Sequence, residues 1–352
     1  MSTKNQFPSG LSGLTNNGNT CFLNSIIQVL SHTPEFRTIL EKVPVPNISN
    51  MKQINLDQFL SHECRQLINL MWRQNALISP NRFTQVVQIV SKNKGVAEFS
   101  GYDQNDVSEF LIFIMECVHK SLLRKVNVAI NGDIISKKDS IAASCYRACG
   151  EIYSKEYSEV YPTFYGMSVT ELVDVSDPEN ILSRKYEHYF IIDLPLPPPE
   201  NKEPTLYDCF DTFIENEHLS GENAWYNEET KQKQEVYKRT VFWNFPPVLV
   251  ISLKRYKNFI NKDQRMVHIP LTTELNLSKY SMCYGSSKYR YRLYAVCNHR
   301  GGLMGGHYTA SVCPAGSESR WFHINDTSIV EIEPHQVISP YVSCLFYRLV
   351  EA

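Results

Sequence analysis

Cys21 closes a polar loop, Gly13-Leu14-Thr15-Asn16-Asn17-Gly18-Asn19-Thr20, and opens a run in which Phe22, Leu23, Ile26, Ile27 and Leu30 recur at helical spacing. A cysteine in the first turn of a helix faces unpaired N–H groups and a partial positive charge, which favour thiolate over thiol. The same N–H groups could stabilise an oxyanion on a carbonyl attacked by that sulfur. Asn16, upstream in the loop, could turn a carboxamide N–H to the same point. A thiol nucleophile needs a base. Far downstream, Gly301-Gly302-Leu303-Met304-Gly305-Gly306-His307 reads as a glycine-dense loop delivering a histidine to the start of a strand. Such a loop lets backbone approach a ligand closely, and a histidine at its end suits a general base. Trp321-Phe322-His323-Ile324-Asn325-Asp326 reads as a short strand ending in two side-chain acceptors. Either Asn325 or Asp326 could hold the imidazole in the correct tautomer. Taken singly, the three segments also read as an inert buried cysteine, a surface loop and an ordinary Asn-Asp turn.

The elements that must bring these groups together differ between the two ends of the chain. Thr20 caps the first predicted helix. A second runs through Leu56, Phe59, Leu60, Leu67, Ile68 and Met71. Ser79-Pro80, an N-cap followed by proline, opens a third through Phe83, Val86, Val87 and Val90. Asn105 caps a fourth carrying Phe110, Leu111, Ile114, Met115 and Val118. Beyond about residue 160, Phe164–Val175, His188–Leu196, Val236–Asn244, Val248–Tyr256, Tyr289–Asn298, His307–Cys313 and Val342–Leu349 read as strands. One helix, Leu206–Phe213, interrupts them after a proline-rich break at Pro195–Pro199. Helices first and strands later predict an α+β fold, a helical lobe against a sheet lobe, with chemistry in the cleft between them.

Composition narrows the setting. At 352 residues, with 43% apolar and 20% charged side chains, the chain is neither disordered nor fibrous and can bury a large core. A net charge of −2 offers no electrostatic reason to expect nucleic acid or an anionic membrane as partner. Ten cysteines without regular spacing do not make a disulfide scaffold, so reduced thiols in the cytoplasm or nucleus are expected. The longest apolar stretch, Val248–Leu253, is too short to span a bilayer. The first residues carry no apolar signal segment and the last no prenylation box. The expectation is a soluble intracellular protein without an accessory targeting domain.

Four motifs carry a resemblance to a known family. GLTNNGNTCFLNS is similar to the cysteine box of ubiquitin-specific proteases, and GGHYTASV with WFHINDTSIV is similar to their histidine box. Between them, Gln104-Asn105-Asp106-Val107-Ser108-Glu109-Phe110-Leu111 resembles the family's Gln-x-Asp-x-x-Glu-Phe-Leu helix start. Leu253-Lys254-Arg255-Tyr256 resembles its Leu-Lys-Arg-aromatic strand. The order is the family's own, and the match covers essentially the whole chain. The resemblance implies a papain-like fold with a helical thumb near residues 1–150, β-rich fingers near 151–245 and a palm near 246–352. It implies Cys21 as nucleophile, His307 as base, Asn325 as the orienting residue and Asn16 as oxyanion donor, with Asp326 supporting the site. It also implies that Gln104, Asp106 and Glu109 hold the extended C-terminal tail of ubiquitin and that Tyr308 lines its channel. Asp106 and Glu109 read equally as acidic first-turn residues favoured by the helix dipole. Lys254 and Arg255 read as structural.

The implied activity is hydrolysis of the bond after the terminal glycine of ubiquitin, by a monomer without cofactor, acting on ubiquitinated proteins. Its alternatives are a silent ubiquitin-binding scaffold and an isopeptidase for another ubiquitin-like modifier. The chain departs from the family in its fingers, which commonly hold zinc on two Cys-x-x-Cys pairs. Here the corresponding stretches read Glu171-Leu-Val-Asp-Val-Ser-Asp177 and Asn223-Ala-Trp-Tyr226. No structural zinc is expected, and aromatic and aliphatic packing must take over its role. Cys145, Cys149, Cys209 and His218 could in principle form an unusual alternative site.

Overall fold

Among the residues described by the computed structural model (7–47, 54–256, 261–302, 305–317 and 319–350), helices come first. They are α1 (Cys21–Ser31), α2 (Pro34–Glu41), α3 (Leu56–Arg73), α4 (Asn81–Lys94), α5 (Val107–Ser121), α6 (Lys137–Tyr153) and the short α7 (Val160–Phe164). A two-residue parallel pair, β1 (Gly13–Leu14) with β2 (Leu77–Ile78), ties the segment before α1 to the helical half. α1 is buried at all eleven positions, its polar residues included. A helix buried all round must satisfy those polar side chains internally, and Gln28 Nε2 accordingly donates to the Ser12 carbonyl at 2.7 Å.

Two predicted caps shift by one residue. The N-cap of α5 is Asp106, not Asn105, because the Asp106 carboxylate can accept from both the Ser108 and Glu109 N–H groups, at 2.7 and 3.3 Å. Pro80, not Ser79, precedes α4. α2 and α6 are additions. α6 carries too few apolar residues for a periodic signal, yet Ser136 and Asp139 form a capping box at its start.

The strands form two main sheets. β3 (Gly166–Asp174), β4 (Ile181–Tyr189), β6 (Glu217–Leu219) and β9 (Val236–Asn244) make an antiparallel sheet in the order β4-β3-β9-β6. β7 (Trp225–Asn227) and β8 (Gln232–Gln234) form a small separate hairpin. The larger sheet contains β5 (Ile191–Pro195), β10 (Val248–Lys254), β11 (Leu275–Asn276), β12 (Arg290–Gly302), β13 (Gly305–Val312), β14 (Trp321–Asn325), β15 (Ser328–Ile332) and β16 (Val342–Leu349). Its order is β15-β14-β13-β12-β16-β10-β5, with β11 on β12 and β10–β5 the one parallel pair. The predicted strand from His188 is divided at Phe190 between β4 and β5, which belong to different sheets. One apolar cluster joins α1–α5 to one face of the larger sheet. A second fills the other face beneath α8 (Leu206–Ile214).

At the centre of the four-stranded sheet stands Glu171, 1% exposed. It lies directly opposite Arg184 on β4 and Arg239 on β9. Each arginine Nε donates to one of its carboxylate oxygens at 2.7 Å. Three adjacent strands are thereby cross-linked by one carboxylate. Phe242 also packs against Tyr189, Phe213 and Phe245. Packing alone was expected in this region; an ion triad of one buried carboxylate and two part-exposed arginines accompanies it.

Candidate active site

The loop before α1 is organised by Asn16. Its Oδ1 accepts from the Gly18 N–H (3.1 Å), the Thr20 N–H (3.2 Å) and the Thr20 hydroxyl (3.2 Å). With the acceptor side fixed, Nδ2 donates to Asp326 Oδ2 at 3.0 Å. An amide nitrogen carries two N–H groups, and one is spent on Asp326. Asn24, one helical turn after Cys21, donates to the other carboxylate oxygen, Asp326 Oδ1, at 2.8 Å. The Leu14 N–H donates to the Asp326 carbonyl at 2.9 Å. A Cβ at Gly13 would lie 2.6 Å from the Thr327 carbonyl oxygen, so only glycine lets the loop dock on that turn.

Cys21 is 3% exposed. The helix N-terminus was expected to favour thiolate. In the folded chain burial pushes the Cys21 thiol pKa up, the negative charge of Asp326 adds to this, and the nearby N–H groups offset it only in part. Together these contributions favour the thiol over the thiolate.

The glycines before His307 are strand residues rather than a loose loop. Gly301 pairs with Gly306 and Gly302 with Gly305 in the β12–β13 hairpin, whose tip, 303–304, lies outside the described residues. A Cβ at Gly306 would stand 2.1 Å from His299 Nε2, so the glycine is required by close packing. The half-exposed His307 approaches Asn325 Oδ1 through Nε2 at 2.7 Å. Nε2 is therefore the nitrogen that carries the proton, and Nδ1 is left for the thiol; the opposite tautomer would follow from a serine-protease arrangement. Asp326 Oδ2 lies 3.9 Å from the same Nε2. Adjacent strand residues would point to opposite faces. Asp326 escapes that rule because it sits in the β14–β15 turn with φ +49°, which folds its carboxylate back toward the imidazole.

Beside this group opens a cleft of about 460 Å³ whose lining includes Gln104, Asp106, Glu109, Tyr308, Arg255 and Lys262. Gln104 bridges the two loops: its Oε1 accepts from the Gly306 N–H and its Nε2 donates to Asn19 Oδ1 at 3.5 Å. The Tyr308 hydroxyl donates to Asp106 Oδ2 at 3.1 Å, so the residue that caps α5 also ties it to β13. Burial, and then the neighbouring Asp106 and Glu98, raise the Glu109 carboxyl above the usual carboxylate range. Arg255, 2% exposed, donates to the carbonyls of Val342 (2.6 Å), Asp263 (3.1 Å) and Arg265 (2.9 Å), which is a structural assignment.

A family description, ubiquitin carboxyl-terminal hydrolase, matches residues 12–347. The chain belongs to that family. Usp2 of Drosophila melanogaster is 29% identical over 353 residues, covering 99% of this chain and 36% of that protein. Ubiquitin carboxyl-terminal hydrolase 21 of Homo sapiens is 30% identical over 373 residues, covering 97% of this chain and 62% of that protein. The chain thus spans less than two thirds of the length of these relatives. The SAGA Ubp8/Sgf11/Sus1/Sgf73 module solved with monoubiquitin has the same fold. Its TM-score is 0.71 at 23% identity, covering 99% of this chain and 72% of that one. The fold is α+β, as in the family's papain-like catalytic domains.

Against the family's motifs, Cys21, Asn16, His307, Asn325 and Asp326 converge on one site, and Gln104, Asp106, Glu109 and Tyr308 share the adjoining cleft. Asn24 and Lys262 were missed. For Asn24 a signal existed: Cys21, Asn24 and Gln28 fall three and four residues apart and so share one helix face. Among the described residues no three His, Cys, Asp or Glu side chains group as a metal site. Cys145 and Cys209 lie in the apolar core, Cys149 Sγ is 3.4 Å from His188 Nε2, and His218 pairs with Glu235. Nor is any helix of the described residues long and apolar enough to cross a membrane.

Proposed function

We propose that the chain is an active deubiquitinating thiol protease that cleaves after the C-terminal glycine of ubiquitin. The observation that carries the reading is the hydrogen bond from His307 Nε2–H to Asn325 Oδ1, 2.7 Å. His307 Nδ1 takes the Cys21 proton and the sulfur attacks the terminal glycine carbonyl. The second N–H of the Asn16 amide and the N-terminus of α1 receive the oxyanion. His307 returns its proton to the leaving lysine amine, and water, deprotonated by His307, hydrolyses the thioester.

The extended tail lies in the cleft under Gln104, Asp106, Glu109 and Tyr308. Carboxylates along that path favour an arginine-bearing tail, and a diglycine end suits a channel too narrow for side chains. The relatives' hydrolase names, and a similarly folded Ubp8 module solved with ubiquitin, support this substrate. In this reading the protein works as a monomer on ubiquitinated proteins in the cytoplasm or nucleus. α1–α6 act as thumb, the four-stranded sheet as fingers and the larger sheet as palm. The test is reaction with full-length ubiquitin bearing a C-terminal electrophile. Wild type should form a covalent adduct at Cys21 that Cys21→Ala cannot form, and should turn over ubiquitin carrying an amide-linked fluorophore. Adducts only with other ubiquitin-like modifiers, or none, would refute the reading.

A further inference from the structure

Tyr256 and Lys262 face each other in an isolated antiparallel bridge just beyond the end of β10. From there the Lys262 ammonium reaches the base of the β12–β13 hairpin. It donates to the carbonyl of His299 at 2.6 Å, to that of Gly301 at 3.4 Å and to His299 Nδ1 at 3.1 Å. The Tyr256 hydroxyl reaches the same Gly301 carbonyl at 3.5 Å. These acceptors fix the rim from which the hairpin turns back toward His307.

The contacts continue inward. An imidazole accepting at Nδ1 from an ammonium must be the neutral Nε2–H tautomer. Burial, with the Lys262 charge beside it, holds the His299 pKa down to about 4, in agreement. The His299 ring stacks on Tyr308, centroids 4.3 Å apart at 19°, while its Nε2 edge fills the space beside Gly306. Tyr308 reaches Asp106 and Gly306 reaches Gln104, so both walls of the cleft take their position from this ring. Lys262 is itself constrained. It is half-buried, and burial together with the charge of Arg255 lowers its pKa to about 8. Arg255 is occupied with other carbonyls, which leaves the hairpin rim to Lys262.

We propose that Lys262 is a positioning residue for the hydrolysis: by clamping His299 and Gly301 it sets the His299–Tyr308 stack, and with it both the tail cleft and the placement of His307. The inference rests on the hydrolase reading for its rate measurement only. Lys262→Met keeps the apolar stem and removes the donor. On ubiquitin with an amide-linked fluorophore, kcat should fall about tenfold to a hundredfold, as misplacement of a reacting group does. The Tm should stay close to wild type, the ring signals of His299 and His307 in NMR spectra should shift, and alkylation of Cys21 by iodoacetamide near neutral pH should slow along with kcat as its base is displaced. Lys262→Gln, which keeps an amide donor group without the charge, should fall between wild type and Lys262→Met. A kcat within about twofold of wild type in both variants, or unmoved His307 ring signals, would overturn the assignment; so would a rate loss accompanied by a matching fall in Tm. The ring signals need no turnover, so they decide the role of Lys262 even if wild type fails to cleave ubiquitin. The wild-type rate alone tests the hydrolase reading.

Discussion

Asp326→Ala separates two effects that normally move together, the rate of hydrolysis and the reactivity of the thiol. The carboxylate accepts from Asn16 at 3.0 Å and from Asn24 at 2.8 Å, and stands 3.9 Å from His307 Nε2. Loss of the first contact frees the Asn16 amide to rotate. Complete removal of an oxyanion donor costs about 2.7–4 kcal/mol, a factor of about 100–1000 in kcat. Here the amide is loosened rather than deleted, since Gly18 and Thr20 still hold its oxygen. The charge lost beside an imidazolium is worth between about 1 kcal/mol in water and about 4 kcal/mol at an effective dielectric of 20. His307 is half-exposed, so the lower part of that range applies. The two losses together place the variant about 100- to 1000-fold below wild type in kcat. The thiol should respond in the opposite sense. Burial, the larger cause of its raised pKa, is unchanged, but the negative charge that adds to it is gone. Cys21 should therefore react faster with iodoacetamide near neutral pH. Turnover of a fluorogenic ubiquitin substrate and the alkylation rate are read on the same preparation. A kcat close to wild type, or alkylation slowed along with hydrolysis, would sink the argument.

Asn325→Ala removes the 2.7 Å contact but leaves Asp326 within reach, so a several-fold loss of kcat is expected, while Asn325→Asp retains an acceptor and should be tolerated. A fully active Asn325→Ala beside an inactive Asp326→Ala would make Asp326 the orienting residue. Glu171→Ala removes the carboxylate shared by Arg184 and Arg239, and because both guanidinium groups are about one third exposed and can be solvated once freed, the fold should lose only about 1–3 kcal/mol in denaturant unfolding; a change under about 0.5 kcal/mol would deny the triad a structural role. His32, 3% exposed, has its pKa lowered to about 4 by burial. Above its unfolded value of 6.5 both states are neutral, and as the pH falls from 6.5 toward 4 only the unfolded chain binds the proton. Stability should drop by up to about 3 kcal/mol across that window, and His32→Phe should flatten the dependence measured by denaturant unfolding.

The chemistry was more legible than the architecture that holds it. Cys21 and His307 stand in compositionally unusual segments, and the strands Val236–Asn244 and Val342–Leu349, rich in β-branched and aromatic residues, have the predicted bounds. What escaped was stabilised from outside its own segment. β4 carries Arg184, Lys185, Glu187 and His188 and looks polar, because its pairing with β3 and the Glu171 carboxylate keep it in place. The glycines at 301, 302, 305 and 306 suggest a mobile loop because sequence cannot show that His299 occupies the space a side chain would need at Gly306, or that the paired backbone does so at Gly301. Asp326 could not be placed by strand alternation, since its positive φ lifts it out of the strand.

The raised pKa of Cys21 bears on why the site needs so many parts. A thiolate stabilised by the helix alone would be permanently nucleophilic and open to oxidation. A buried thiol near Asp326 is quiet until a base takes its proton, so activity depends on His307 being in place. His307 in turn depends on contacts that cross between the helical half and the large sheet. Asp326 receives Asn16 and Asn24, Asp106 receives Tyr308, and Gln104 receives Gly306. Each contact joins a helix or its preceding loop to β13 or to the turn after β14. The contacts that shape the tail cleft therefore lie in the same seam as those that orient the base. In this reading a tail seated in the cleft tightens the contacts on which proton transfer depends, so substrate binding and activation of the thiol are mechanically coupled.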